Sequence, residues 1–279
     1  MTDRKMAEIQ ISFLGTRSGN STSRAHTAIA LHCSDGTRLL LDAGSGNSAL
    51  RNAGELGIPV EEFDDVLLTH HHPDHMAGLM FVQFQRVLVR DEESPMRVHS
   101  TEEALEGLKR LCLATRLNVS EITPHAGRTA TGREVLRWHP TGIGDAVDLG
   151  PKTTARPFLA DHIGGAIGWR VESDGISVVF SGDTRFSPEL VKASQGADLL
   201  IHEAYSTEES REQASAVGHS TAAEAGRAAA QADVSELVLT HITNAFHTNA
   251  KSLLDETSEH FKGPIRAAHD LMQVTVRAR

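Results

Sequence analysis

Residues 68–79 read LTHHHPDHMAGL. This stretch places imidazole and carboxylate groups at the spacing His-x-His-x-Asp-His, on His70, His72, Asp74 and His75. Both groups are ligands that zinc binds in proteins. The apolar run at 66–68 predicts a buried strand, and a strand end holds several ligands rigidly. A histidine-rich surface patch would not follow a core strand, so the stretch predicts a metal site within a fold.

The composition indicates a globular protein without a membrane segment. The chain has 279 residues, of which 39% are hydrophobic and 23% charged. No apolar run reaches the length of about 18 residues that a membrane span needs, and the first residues lack the apolar core of a signal peptide. Two cysteines, Cys33 and Cys112, favour a reducing compartment over a disulfide framework. We therefore expect a cytoplasmic protein with no membrane partner.

The charge balance disfavours nucleic acid as a partner. With 27 Lys and Arg against 37 Asp and Glu, the net charge is −10 at pH 7, whereas binding to phosphate backbones depends on Lys and Arg. Aromatic residues make up 4% and offer few surfaces on which single-stranded bases can stack. A local basic patch, or a small anionic substrate held by a metal, remains compatible with this charge.

The order of predicted elements indicates an α/β protein with two sheets packed face to face and helices outside. Strands are predicted at 8–14, 26–33, 38–41, 66–69, 98–99, 135–138, 153–159, 166–172, 176–180, 199–202, 237–239, 265–268 and 272–276. Helices are predicted at 47–56, within 76–89, and at 102–117, 221–232 and 250–261. Because no linker or repeat divides the chain, we expect one domain covering residues 1–279.

Five further polar residues follow the first motif, most of them at the end of an apolar strand. They are His162 in ADHIGG, Asp183 in SGDTR, Glu203 in HEAY, His219 in GHST and His241 in LVLTH. His219 differs from the others because it lies at the predicted start of a helix. Ligands at successive strand ends can converge on one edge of a sheet, so these residues are candidates for the same site as the first motif.

This ordered set resembles the metallo-β-lactamase superfamily, and within it the branch of ribonuclease Z, related phosphodiesterases and arylsulfatase-like hydrolases. The resemblance spans nearly the whole chain and rests on the His-x-His-x-Asp-His motif, the GDTR at 182–185 and the HST at 219–221. It implies a four-layer αββα sandwich with a dinuclear zinc centre at one edge of the sheets. It also implies a hydrolase that uses a metal-bound hydroxide.

The resemblance further implies a ligand set for two Zn²⁺ ions. The first ion would be held by His70, His72 and His162, the second by Asp74, His75 and His241, with Asp183 bridging both. Asp74 would also orient or deprotonate the attacking water. Because manganese and iron also accept histidine and aspartate ligands, Mn²⁺ or Fe²⁺ is an alternative occupant.

His219 is the expected catalytic residue outside the ligand set, positioned to protonate or stabilise a departing oxygen. Resemblance to ribonuclease Z implies that Glu203 orients it. The competing interpretations are that His219 only begins a helix capped by Ser220, and that Glu203 is a surface charge. Two other residues are left open: His247 could touch the substrate, and Arg185 could contact an anionic group or pair with a nearby acid.

One departure from the ribonuclease pattern bears on the substrate. Long-arm ribonucleases of this family carry an insertion between the third histidine segment and the bridging aspartate, but here only 20 residues separate His162 from Asp183. The leading hypothesis is therefore a hydrolase of small anionic esters, most of all phosphodiesters. The alternative is ribonuclease Z-like tRNA 3′ processing, followed by arylsulfatase or lactonase activity. A noncatalytic binding protein would have a broken ligand set, and every position is filled here.

Two expectations lie outside the site. The segment 118–151 carries no readable signal for specificity, and the longer stretch 90–160 could form a wall of the substrate pocket. The resemblance also makes a homodimer one expected assembly, although the sequence shows no interface signature.

Overall fold

In a computed structural model, which describes residues 7–89, 95–114, 135–246 and 248–278, the strands form two mixed sheets. The strands are β1 (Glu8–Gly15), β2 (Ala28–Cys33), β3 (Arg38–Leu41), β4 (Asp65–Leu67), β5 (Met96–Ser100), β6 (Leu136–Pro140), β7 (Val147–Asp148), β8 (Thr153–Leu159), β9 (Ile167–Ser173), β10 (Ile176–Phe180), β11 (Leu199–Glu203), β12 (Leu237–Thr240), β13 (Ile265–Ala267) and β14 (Gln273–Arg277). Among the described residues, the first sheet has the order β14-β1-β2-β3-β4-β5-β6 and the second has the order β13-β12-β11-β10-β9-β8-β7.

The helices cover the outer faces of both sheets. They are α1 (Ser48–Glu55), α2 (Pro73–Met76), α3 (Leu79–Val89), α4 (Glu102–Ala114), α5 (Pro188–Ser194), α6 (Arg211–Ala216), α7 (Ala222–Gln231) and α8 (Lys251–His260). Short 3-10 turns add Val60–Glu62, Glu208–Ser210 and Asn244–Phe246. In the part of the chain that the structure describes, none of these helices combines the length and the apolar character needed to cross a bilayer.

Strand alternation explains the layers. In β3, Leu39 and Leu41 enter the core between the two sheets, whereas Leu40 joins the core under the helices. This is the period of two that a strand buried on both faces requires. The central core also contains the fully buried rings of Phe13 and Trp169, one from each sheet.

Two further cores lie outside the sheets, one under α1, α3 and α4 and the other under α5, α7 and α8. The α/β class and the αββα order of layers are therefore confirmed.

Parallel strand pairing creates the edge where the site lies. Strands β3 to β6 run parallel to one another in the first sheet, and β10 to β13 do so in the second. The carboxyl ends of parallel neighbours meet at the same edge of a sheet. The segments that leave β4, β10, β11 and β12 therefore converge there.

Four elements of the structure were not predicted from the sequence. The helix predicted within 76–89 is α3, whereas the short helix α2 before it was not predicted; between them, Gly78 packs so close to Ala43 that a Cβ atom would lie 1.9 Å from its carbonyl oxygen. Strand β7 and helices α5 and α6 were not predicted, although Ser187 before Pro188 is a typical helix start and its side chain accepts a hydrogen bond from Leu190 N. Residues 115–117 of the predicted helix 102–117, and 118–134 of the segment 118–151, lie outside the described residues.

Candidate functional site

The buried carboxylate of Asp183 is the centre of the cluster formed at this edge. Its Oδ2 lies 3.2 Å from His75 Nε2, 3.6 Å from His70 Nε2 and 3.9 Å from His162 Nε2, and its Oδ1 lies 3.3 Å from His241 Nδ1. Residues from both sheets thus meet around one carboxylate.

The structure divides the expected ligands into two groups. The potential ligand atoms in each group lie within 4.8 Å of one another: His70, His72, His162 and Asp183 form one group, and Asp74, His75 and His241 form the other. The histidines and Asp74 fall into the two sets that the resemblance implied, and Asp183 falls with the first set; their roles as metal ligands stay predictions. A third group joins His219 to Asp183 and His241. His219, the expected catalytic residue outside the ligand set, therefore borders the cluster.

Unpaired polar atoms show that the cluster suits a cation. His70 Nε2, His75 Nε2 and Asp183 Oδ1 are buried and have no hydrogen-bond partner among the described residues. A buried polar atom without a partner costs about 1–3 kcal/mol, and unpartnered atoms are uncommon in native proteins. Three such atoms within one cluster, all of them types that zinc accepts, fit a bound metal.

Asp42, at the end of β3, orients the cluster and was not predicted as part of the site. Its Oδ2 lies 2.7 Å from His75 Nδ1, and its two oxygens accept hydrogen bonds from Thr69 N and Thr69 Oγ1, both at 2.8 Å. A carboxylate on one ring nitrogen fixes the other nitrogen toward a metal. The signal was present in the sequence, because Asp42 directly follows an apolar strand, as Asp183 nearly does.

A glycine holds the ring of His162 in place. Gly218 O lies 2.9 Å from His162 Nδ1, which leaves Nε2 facing the cluster. Gly218 has φ +87°, and a Cβ atom there would lie 2.4 Å from His162 Nδ1. Only glycine therefore satisfies both the backbone conformation and the close approach.

At neutral pH, most of the candidate ligands are in the protonation state that leaves a lone pair free to bind a metal. Burial lowers the pKa of His70, His72 and His162, and lowers the pKa of His241 to about 3. Burial acts against ionisation of Asp183, yet the surrounding imidazoles hold the pKa of its carboxyl well below the usual range. Neutral imidazoles and an ionised carboxylate are the forms that coordinate metals.

His75 is the exception in this cluster. Burial opposes its charged form, but the carboxylates of Asp183, Asp42 and Asp74 raise the pKa of the His75 ring well above the usual value. Three acids around one imidazole mean that the site attracts positive charge. A proton supplies that charge in the protein alone, and a metal ion would supply more.

Glu203 and His219 form a buried pair beside the cluster. Glu203, the last residue of β11, is fully buried, and its Oε1 lies 3.0 Å from His219 Nδ1 and accepts a hydrogen bond from Thr184 N at 2.6 Å. Burial raises the pKa of Glu203 to about 7. For His219, burial is outweighed by the Glu203 carboxylate, which raises the pKa of the ring to about 9. The interpretation of Glu203 as a surface charge is therefore wrong, and the pair retains a proton at neutral pH.

Tyr205 covers one face of the His219 ring, and sequence reasoning missed it. The two rings are stacked with centroids 4.3 Å apart and an angle of 5° between their planes. Tyr205 N donates a hydrogen bond to Ser220 O at 3.0 Å, which joins the HEAY and GHST segments. The only available signal was that this is the single tyrosine of the chain.

The cap of α7 is Thr221, not Ser220. Thr221 Oγ1 accepts from Glu224 N at 3.2 Å, and the Glu224 side chain accepts from Thr221 N at 3.0 Å, which is a capping box. Ser220 Oγ instead donates to Thr184 O at 2.6 Å. The expectation of a Ser220 cap was wrong because that hydroxyl is used to join two loops of the site.

The structure describes Arg185, one of the two residues whose roles the sequence leaves open. Arg185 pairs with the protein itself: its Nε donates to Ser215 O at 2.7 Å, and its Nη1 lies 3.2 Å from Asp161 Oδ1. It therefore ties the loop that carries His162 to helix α6. His247 lies outside the described residues, so its expected contact with substrate stays a prediction.

The chain is similar to curated proteins named Ribonuclease Z. It is 27% identical to the one from Haloarcula marismortui, an alignment that covers 95% of this chain and 96% of that protein. It is 29% identical to the one from Methanothermobacter thermautotrophicus, with 97% of both chains covered.

Solved structures share the fold. The metallo-β-lactamase fold protein YhfI from Bacillus subtilis superposes with a TM-score of 0.78 at 21% identity, covering 96% of this chain and 99% of that one. Human short-form tRNase Z gives 0.74 at 20% identity with 96% and 100% covered, and a diphosphatase of the PhnP family gives 0.70 at 18% identity with 95% and 97% covered.

The sequence model of the Beta-lactamase superfamily domain matches residues 37–242, most of the chain. That range includes every residue of the Asp183-centred cluster and the Glu203–His219 pair. The chain belongs to the metallo-β-lactamase superfamily and is a metal-dependent hydrolase.

Proposed function

We propose that the chain cleaves phosphodiester bonds in RNA, as a ribonuclease Z-like tRNA 3′-processing endonuclease. The observation that supports it most is the buried Glu203–His219 pair beside the metal-binding cluster, with Glu203 Oε1 3.0 Å from His219 Nδ1. Relatives that carry the name Ribonuclease Z match over nearly their whole length. They favour RNA processing over the small anionic ester that the sequence placed first.

The proposed cofactor is zinc, with two ions per chain. His70, His72 and His162 would hold one ion, Asp74, His75 and His241 the other, and Asp183 would contact both. When bound, the metals supply Lewis acids that polarise the phosphoryl group. Mn²⁺ and Fe²⁺ are alternatives for the same donor set.

The protein's own residues supply the proton transfers. Asp74 is partly exposed at the cluster, where its carboxylate can orient the attacking water and accept its proton. His219 can donate a proton from Nε2 to the departing oxygen, because its Nδ1 faces Glu203. Glu203 then stabilises the charged ring and keeps it in one orientation.

A small phosphodiester is the second candidate, and one observation favours it. Strands β9 and β10 are joined directly through Asp174 and Gly175, so the arm of the long-arm ribonucleases is missing. Without the arm, tRNA would need another surface to hold it. Arylsulfatase and lactonase activities remain further alternatives, since a fold of this kind hosts many reactions.

The test is a hydrolysis panel on purified, zinc-loaded protein. The substrates are a precursor tRNA, bis(p-nitrophenyl) phosphate, a cyclic nucleotide, an aryl sulfate and a lactone, each with the wild type and with His219→Ala. His260→Ala is the matched control, because His260 is an exposed histidine at the end of α8. Bound metal is counted in the same preparations.

We expect cleavage of the precursor at the start of its 3′ trailer, reduced about 10²–10⁴-fold in His219→Ala, the usual contribution of a general acid. The control should cleave normally. Turnover of the small phosphodiesters with an intact precursor would replace the lead with the second candidate. Turnover of lactone or sulfate alone, indifferent to His219, would contradict both.

A further inference from the structure

A cavity of about 280 Å³ lies between the loop 16–26 and the start of α1. Its lining includes Arg24, Arg51 and His26 together with five hydroxyl side chains, and no acidic side chain of the described residues lines it. We call this the anion pocket. Its composition contrasts with the chain as a whole, whose net charge is −10.

The charge of the anion pocket is not cancelled locally. Neither Arg24 nor Arg51 forms an ion pair with any residue that the structure describes; Arg51 Nε donates only to Asn52 Oδ1. Burial and the nearby Arg24 lower the pKa of Arg17, whereas Asp270 raises it. Asp270 is the acid that faces this loop, and its oxygens accept hydrogen bonds from Thr16 Oγ1 and Ala25 N.

The two segments that line the anion pocket are continuous along the chain with residues that contact the metal-binding cluster. On the loop side, Gly19 lies so close to the cluster that a Cβ atom there would be 3.0 Å from Asp74 Oδ2. On the helix side, Ala43 N donates to His75 O at 2.7 Å, two residues before Ser45. The anion pocket and the cluster therefore lie on neighbouring parts of the same loop and of the segment before α1.

Donors suited to a phosphate converge in the anion pocket. His26 Nδ1 and Ser45 Oγ are 2.6 Å apart, and His26 Nε2 is buried without a partner among the described residues. Arginine guanidinium groups match phosphate oxygens in charge and in fork geometry. The hydroxyl side chains of the lining add donors of the kind that phosphate groups meet in proteins.

We infer that the anion pocket binds a second phosphate of the substrate, neighbouring the phosphate that is cleaved in a single-stranded RNA segment. This inference rests on the proposed function and narrows it to substrates that carry at least two phosphate groups. Contacts to phosphates carry no base information, so the pocket would place the strand without selecting its sequence. It would also give an acidic protein without an arm a local means of holding RNA.

The experiment compares Arg24→Gln/Arg51→Gln with Arg110→Gln/Arg277→Gln. The second pair removes the same charge from exposed arginines on α4 and β14. A fluorescein-labelled single-stranded RNA is bound to each zinc-loaded protein in a His219→Ala background, which slows cleavage, and the dissociation constant is measured over a range of salt. Kinetics on RNA and on bis(p-nitrophenyl) phosphate follow in proteins with His219 intact.

We expect the pocket variant to weaken RNA binding about tenfold or more relative to the control, the usual effect of losing hydrogen bonds to charged groups. Its salt slope should fall by about 0.7 for each phosphate that the protein no longer neutralises. The loss in kcat/KM should be larger for RNA than for bis(p-nitrophenyl) phosphate, which has one phosphate.

Equal binding and equal salt slopes in both double variants would overturn the inference, as would no RNA binding by the parent protein. The binding arm requires no catalysis. A failure of the proposed function, with no phosphodiester cleaved, is therefore distinguishable from a failure of the anion pocket.

Discussion

At the scale of single residues, the His219 ring has one edge left for the substrate. Tyr205 covers one face at 4.3 Å, while the ring of His241 is stacked at 5.3 Å. Glu203 occupies the Nδ1 edge. Nε2 is what remains to meet a leaving group, so Tyr205 is a positioning residue for the proposed proton donor.

Two substitutions of Tyr205 distinguish the contribution of its ring from that of its hydroxyl. Tyr205→Phe keeps the stacked ring and should retain most of the activity. Tyr205→Leu removes an aromatic stacking interaction worth about 0.5–1.5 kcal/mol, which corresponds to a fall in kcat of up to about tenfold. The fall should be larger for RNA than for p-nitrophenyl esters, whose leaving group needs little protonation. Equal losses for both substrates would indicate a purely structural role.

Gly218 allows a matched test of the His162 position. Gly218→Ala introduces a Cβ atom 2.4 Å from His162 Nδ1, whereas Gly175→Ala introduces one with no atom within 4 Å, and both glycines have φ +87°. In each variant, the alanine at positive φ should lower the free energy of unfolding by about 1 kcal/mol or more. We expect Gly218→Ala, but not Gly175→Ala, to weaken zinc binding. The loss should be about 10- to 100-fold, as is usual when a residue that orients a metal ligand is changed. Zinc titration with a competing chelator measures this, and equal affinities would contradict the placement.

At the scale of elements, strand β11 places two neighbouring ionisable residues in different environments. Glu203 meets His219 at the site, whereas His202 is fully buried, and its Nδ1 donates to Glu203 O at 2.7 Å. Burial lowers the pKa of His202 to about 4. The strand therefore contains a histidine that must stay neutral while the protein is folded.

This histidine makes stability depend on pH. Between the ordinary pKa of about 6.5 and the folded pKa of about 4, the unfolded chain binds a proton that the folded chain does not, so acid lowers the free energy of unfolding. Between pH 7 and pH 5, His202 should lower the free energy of unfolding by about 2 kcal/mol. Urea unfolding of the wild type and of His202→Gln at both pH values should show that difference, because the other histidines titrate alike in both proteins. An equal pH dependence would contradict the buried neutral state.

At the scale of the whole molecule, the cluster joins the two sheets. His70, His72 and His75 follow β4 of the first sheet, while Asp183 and His241 follow β10 and β12 of the second. The sheets also share the central core, which supports the proposal that residues 1–279 form one domain. Metal held by both sheets would therefore stabilise the molecule as a whole.

Removing metal should destabilise the protein. A ligand that binds only the folded state raises the free energy of unfolding by about 4 kcal/mol when its concentration is 1,000 times Kd. We expect a chelator to lower Tm and added Zn²⁺ to restore it. His70→Ala should show a much smaller change on chelation. An unchanged wild-type Tm, with metal shown to be removed, would contradict this link between site and fold.

Much of the fold and the site could be predicted because the signals are local. The motif at 68–79 and the alternation of β3 depend on neighbours along the chain, and GDTR and GHST were readable for the same reason. The sequence prediction of the site did not include Asp42 and Tyr205. Asp42 contacts His75, 33 residues along the chain, and Tyr205 contacts His219, 14 residues along the chain. Nothing in the local sequence tells a strand-end carboxylate or a tyrosine which ring it will meet.

The sequence by itself predicted two sheets with helices outside, because hydrophobic periodicity is a property of residue types at fixed spacings, whereas the donor set was implied by the resemblance to a known superfamily. Only the tertiary structure decided that Glu203 is fully buried and not a surface charge, and that Thr221 rather than Ser220 caps α7. It also decided that an acidic chain gathers Arg24 and Arg51 beside its site. Net charge sums over all residues, whereas binding depends on which charges the folded chain brings within a few ångströms of each other.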